Sequence, residues 1–158
     1  MLNPGEVVSF DTAKLLKDLG YESGTRNCYI HYHQDYAYDD DPNHNESYKK
    51  DDITLESIFL VNNNNGLGDF SNENYTLYEA PPQYVVHRWL REEYNILVSP
   101  SYTASGYGTG WYWVVYKDLK KDYQDFTCSM IDKKLPLFET YEEAMERGLY
   151  EAIKLINK

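Results

Sequence analysis

The sequence predicts an α+β fold: an antiparallel sheet with about three helices packed mainly on one face, in a single domain spanning residues 1–158. Three observations lead there. Capped apolar stripes of helical period occur near the start, in the middle and at the end of the chain. Between them stand short alternating runs rich in Tyr, Val and Ile. Turn-forming residues join those runs as hairpins, and no Pro/Gly-rich linker or internal repeat divides the chain.

The first helix is signalled by Ser9 or Asp11 as cap, then TAKLLKDL, with Gly20 as its stop and Ala13, Leu16 and Leu19 on one face. RNCYIHYHQ (26–34) alternates and reads as a strand. An acidic, Asn-rich insert follows at about 35–75, within which SIFLV (57–61) is a short strand and Asn65–Gly66 a tight turn leading to YTLYE (75–79). Helix two, APPQYVVHRWLREEYN, starts at Pro81 or Pro82, where a missing N–H costs nothing. Val86, Trp89, Leu90 and Tyr94 form its buried stripe, and His87, Arg88, Arg91 and Glu92 face outward. ILVSPSY and WYWVVYK make two strands around a glycine-rich turn, and FTCSMI is a third. The last helix opens on a capping box, Thr140 with Glu143, after Leu137 and Phe138. Its apolar face is Tyr141, Ala144, Met145, Leu149, Ala152, Ile153 and Ile156. Gly148 lies within that face, where it lets the helix approach a sheet closely.

Composition narrows the function classes. The net charge is −11, and eleven acidic residues stand against two lysines between positions 35 and 79. Gripping nucleic acid through its phosphates needs a basic face, so direct nucleic-acid binding is not expected. An acidic surface instead repels anionic membranes and suits docking on a basic partner. No apolar run approaches the roughly 20 residues of a membrane helix, and the N-terminus lacks a signal peptide's pattern. A cytoplasmic protein is expected. Two cysteines, Cys28 and Cys128, are too few for a disulfide framework and are expected reduced in strands, a metal pair or redox couple being the alternative. The 17 tyrosines supply rings and hydroxyls for gripping a ligand, or else tile a half-exposed sheet.

Each candidate for chemistry has a plainer competitor. HYHQD puts His31, His33 and Asp35 on one side of a strand, a spacing that can share zinc or iron or simply form a solvated polar face. DDDPNHNE (39–46) lacks the glycine and closing glutamate of a calcium loop. No Ser sits in a nucleophile elbow, and the neighbours Glu92–Glu93 and Glu142–Glu143 point apart on helices, so no enzyme is expected. Gly106, Gly108 and Gly110 look like half of a dinucleotide fingerprint, but a strand follows them where that fingerprint requires a helix. What remains is a candidate ligand-binding set. It comprises Tyr102, Tyr107, Trp111 and Trp113 as stacking rings and Gly106, Gly108 and Gly110 as exposed N–H donors to an anion. His87, Arg88 and Arg91 lie outward on helix two, the two arginines placed for phosphate contacts. The competing account is a pliant turn whose tryptophans belong to the core.

Three stretches taken together carry a resemblance: SFDTAKLLKDLGY, APPQYVVHRWLREEYNI and FETYEEAMERGLYEAIKLI. Their order resembles a group of small proteins encoded by bacteriophages and prophages of Bacteroides-type gut bacteria. The chain differs from the group's usual pattern at Tyr94, where histidine is common, and by its acidic insert. The resemblance implies no catalytic residues and no cofactor. It implies a phage accessory protein acting on its host, with counter-defence as a frequent role. Two versions fit: a non-enzymatic sponge for a nucleotide-derived immune signal, completed at a homo-oligomer interface, or an acidic inhibitor or DNA mimic docking on a host defence protein. A structural accessory protein without a small ligand is a third.

Overall fold

The computed structural model describes residues 6–25, 27–34, 36–37, 47–57, 75–106, 108–118, 125–129 and 137–156. They form α1 (Phe10–Asp18), β1 (Asn27–Tyr32), β2 (Tyr36–Ala37), β3 (Ser47–Tyr48), β4 (Ile53–Ser57), β5 (Tyr75–Glu79), α2 (Gln83–Tyr94), β6 (Leu97–Ser105), β7 (Gly108–Lys117), β8 (Asp125–Cys128) and α3 (Tyr141–Ile156). The fold is α+β, as the sequence predicts, but among the described residues its strands make two three-stranded sheets and a separate two-stranded pair, not one sheet. β1 is central in an antiparallel sheet of order β4-β1-β5, and β7 is central in a second of order β6-β7-β8. β2 and β3 pair separately. α2 follows β5 directly, and β5 and β6 are not hydrogen-bonded neighbours among the described residues. β4 runs over 53–57, where the sequence suggested a strand at 57–61. Residues 58–61, Asp35, the 39–46 loop and the Asn65–Gly66 turn lie outside the described residues.

The helix termini follow local chemistry. Ser9 caps α1 by accepting from Thr12 N at 3.3 Å, and Gly20, at φ +70°, closes the helix as its N–H bonds Lys17 O at 2.9 Å. Pro82 precedes α2, and Asn95 ends it in a left-handed conformation. The capping box of α3 is reciprocal: Glu143 N donates to Thr140 Oγ1 at 3.2 Å, and Thr140 N donates to Glu143 Oε2 at 3.3 Å.

The core forms where α3 meets the β6–β7 hairpin and the inner faces of α1 and α2. Ala144, Met145, Leu149, Ala152 and Ile153 of α3 are buried with Val98, Trp113 and Val115 of the hairpin, Ala13 and Leu16 of α1, and Val86 and Leu90 of α2. Both cysteines are free and buried, Cys28 in β1 and Cys128 in β8. Gly148 sets the helix–sheet distance. A β-carbon there would collide with Val98 Cγ1 and stand 3.1 Å from Trp113 Cβ. The valine methyl can swing aside, but the base of the tryptophan side chain cannot.

Gly148→Ala therefore opposes two effects. Alanine gains about 1 kcal/mol in helix propensity, and overpacking a tight contact costs about 1–3 kcal/mol. With one obstructing atom fixed, the contact dominates. Urea unfolding is expected to show a net loss of about 1–2 kcal/mol, and a raised unfolding midpoint would contradict this seating of α3.

Candidate binding surface at the start of α3

The site is built around Glu146, on the second turn of α3. Its Oε1 accepts from Ser9 N at 2.9 Å and from the Thr12 hydroxyl at 2.6 Å, and its Oε2 accepts from Gln83 Nε2 at 3.3 Å. One carboxylate thus accepts from the cap residue's backbone N–H and from a first-turn hydroxyl of α1, and it holds the first residue of α2. Its charge also complements the positive end of the α1 dipole. Thr12 is wholly buried, so its hydroxyl depends on these partners.

The hairpin register then places the aromatic side chains. Tyr102 opposes Trp111, Pro100 opposes Trp113, and Val98 opposes Val115, so these side chains share one face of β6–β7. The Val98 end of that face lies in the core beneath α3, whereas the Tyr102–Trp111 end runs out past it. There the Tyr102 and Trp111 rings meet edge to face at 5.4 Å, and Tyr141, the first residue of α3, meets Trp111 in the same way at 5.4 Å. Tyr102 is 56 % and Tyr141 41 % exposed.

Two adjoining clefts lie at the start of α3, and Tyr141 lines the smaller. The larger, about 890 Å³, lies between the start of α1 and the first half of α3, and Asp11, Glu139, Glu142, Glu143 and Glu146 line it. Arg147, its single cationic lining residue, is held by Glu151 at 2.7 Å. The smaller, about 500 Å³, lies between α2 and α3, with Val7, Pro82 and Met145, the rings of Tyr84 and Tyr141, and the carboxylates of Glu6 and Glu142 along it. Tyr84 is 72 % exposed. Val7, Gln83 and Glu142 belong to both clefts and so form the ridge between them.

Two titrating groups border the clefts. Burial, reinforced by the negative charge of Glu146, pushes the Tyr29 hydroxyl up to about 12. It therefore stays protonated and donates to Val8 O at 2.8 Å. His87, expected on the outer face of α2, is instead half-buried, with its Nε2 sealed from solvent and unpartnered among the described residues. Burial first, and Arg91 second, hold its pKa below the ordinary value, while a bond to the Val98 backbone opposes them. The helical period put His87 outward; the passage of β6 beside α2 covers it.

The structure distributes the predicted ligand set unevenly. Tyr102 and Trp111 come together, and Tyr141 links them to the cleft that His87 lines. Trp113 is 2 % exposed and fills the core. Gly108 and Gly110 belong to β7 and admit a neighbouring segment: Trp111 and Phe138 exchange backbone bonds of 2.8 Å, and a β-carbon at Gly110 would stand 2.9 Å from Phe138 O. Gly106 is exposed at the turn, with open space around its α-carbon, and Tyr107 lies outside the described residues. Arg88 and Arg91 approach Glu92 at 3.9 and 3.8 Å and line neither cleft. His31 lies in β1 and His33 one residue beyond its end, with their rings 5.0 Å apart, but His33 Nε2 bonds Thr76 Oγ1 and His31 Nε2 lies 3.7 Å from Asp51. No group of three or more metal-ligating side chains occurs among the described residues. Sequence reasoning places Glu142 on the solvated face of the last helix, but it does not gather Glu6, Tyr84, Tyr141 and Glu142 into one cleft. Tyr84 carried a readable signal, an aromatic residue off the Val86–Leu90 stripe.

Comparison with protein-family models, with curated proteins and with solved structures finds no match. Among the described residues no helix is long and apolar enough to cross a membrane.

Two outcomes follow from Glu146 and His87. Glu146→Ala strips charge-assisted partners from Ser9, Thr12 and Gln83, and urea unfolding is expected to report a loss of about 2–3 kcal/mol; a change within error contradicts its role as tie. For His87, the folded-state pKa lies below the unfolded one, so the unfolded chain binds more protons in the window between them. This contribution is intact above about pH 6.5 and is lost as pH falls through the window. Melting temperatures of wild type and His87→Gln, compared at about pH 7.5 and about pH 5.5, should show the smaller acid-induced fall in the variant. Equal falls contradict the burial of the ring.

Proposed function

We propose that the chain is a non-enzymatic binding protein that docks its acidic, aromatic surface at the start of α3 on a basic region of another protein. In the setting implied by the resemblance to phage and prophage proteins, that partner is a host defence protein, met in the host cytoplasm, and the role is counter-defence. One observation carries the reading. Six carboxylates, those of Glu6, Asp11, Glu139, Glu142, Glu143 and Glu146, line two adjoining clefts with the exposed rings of Tyr84 and Tyr141, and Arg147, the only arginine among the described lining residues, is already paired. Rings supply contact area at little entropic cost, and carboxylates steer and select a cationic partner. The hydroxyls of Thr12 and Tyr29 and the Glu146 carboxylate are engaged in bonds that hold the helices, which suits binding better than catalysis.

Sequestration of a nucleotide-derived signal is the second reading, and the row Tyr102–Trp111–Tyr141 favours it as a platform for a base. Phosphates at that platform would face the carboxylates, however, while Arg88 and Arg91 lie with Glu92. A second copy docked on the same face would likewise oppose its own negative charge.

A thermal-shift comparison separates these readings. A ligand bound only to the native state at about a hundred times its Kd stabilises by about 2.7 kcal/mol. An arginine–glycine repeat peptide is expected to raise the melting temperature, less so as salt is added, and a cyclic adenine dinucleotide is expected to leave it unchanged. The reverse pattern would establish the nucleotide reading in place of the acidic one.

A further inference from the structure

We infer that the smaller cleft, between α2 and α3, is a receptor for a single arginine side chain of the protein partner. This rests on the acidic-docking reading and names the group recognised. The floor is apolar, from Val7 and Met145, and matches the methylene stem of a long side chain. Tyr84 and Tyr141 stand along the same cleft, and both rings are open to solvent. Glu6 and Glu142 border it, and among the described residues neither carboxylate has an ion-pair partner. An apolar floor, ring faces and unpaired carboxylates in one recess of about 500 Å³ suit a group that is cationic, planar and carried on an apolar stem.

A guanidinium meets that description better than an ammonium. It stacks on aromatic faces, it is weakly hydrated and so leaves water at lower cost, and its fork bonds a carboxylate through two parallel N–H groups. Charge complementarity selects this occupant over two others. A phosphate or a second copy of this acidic chain would bring negative charge to Glu6 and Glu142, and an apolar side chain would leave both carboxylates unsatisfied at a closed interface.

The test measures binding of the arginine–glycine repeat peptide, and of the same peptide with citrulline for arginine, to wild type and three variants. Tyr84→Ala and Glu142→Gln alter exposed side chains of the cleft, and Phe126→Ala alters an exposed ring on β8 that lines neither cleft. Circular dichroism confirms that each variant is folded. Wild type and Phe126→Ala are expected to bind the arginine peptide alike. Tyr84→Ala and Glu142→Gln are each expected to weaken it about tenfold, and citrulline to abolish binding. If the arginine peptide binds and citrulline fails, yet both cleft variants bind like wild type, the acidic-docking reading stands and this cleft is not the seat. If the citrulline peptide binds equally well, no guanidinium is recognised. If neither peptide binds wild type, the inference and the reading beneath it both fall.

Discussion

How closely α3 lies against the β6–β7 hairpin governs the rest of this structure. The missing side chain at Gly148 lets the helix sit over Val98 and Trp113, and Ala144, Met145, Leu149, Ala152 and Ile153 close the core around that contact. With the axis fixed, Glu146 falls where it can bond the starts of α1 and α2. Tyr141 falls where it meets Trp111 at the open end of the hairpin. A helix held farther out would separate all of these groups, so packing at one glycine positions a surface two turns away.

The same geometry explains how so many carboxylates gather without tearing the fold apart. Like charges this close would repel, but Asp11 lies in the first turn of α1, and Glu142 and Glu143 lie in the first turn of α3. Helix N-termini carry partial positive charge and unsatisfied N–H groups, which offset part of the repulsion. Glu143 and Glu146 are further engaged as cap and tie. Glu6, Asp11, Glu139 and Glu142 are left to face solvent, which makes them the groups with most to gain from a cationic partner.

What the sequence disclosed was what local chemistry decides. Ser9, Gly20, Thr140 and Glu143 mark helix ends through contacts a few residues long, and all four do so in the structure. The close approach at Gly148 was legible because a glycine inside an apolar stripe has few other uses. Sheet membership was not legible, since pairing is non-local and a helix falls between β5 and β6. The alternation in ITLES was present, but the surrounding acidic stretch hid it. Gly110 reads as a pliant turn until the segment at 137–138, distant in sequence, is seen to run beside it. Of the surface itself, Tyr102 and Trp111 are legible in the sequence as aromatic residues flanking the glycine turn. Tyr141 was assigned to the buried face because helical period cannot tell where the sheet beneath a helix ends. His87 was placed outward because period also cannot tell what another strand will cover.

The central claim is that the start of α3, with its rings and carboxylates, is the surface this protein uses to bind. Residue-resolved NMR titration with the arginine–glycine peptide tests that claim most directly. The account predicts the largest backbone shifts at Tyr84, Tyr141, Glu142 and Met145, with a smaller change at the Trp111 indole. Shifts concentrated on β4 or β8, with both clefts silent, would contradict it.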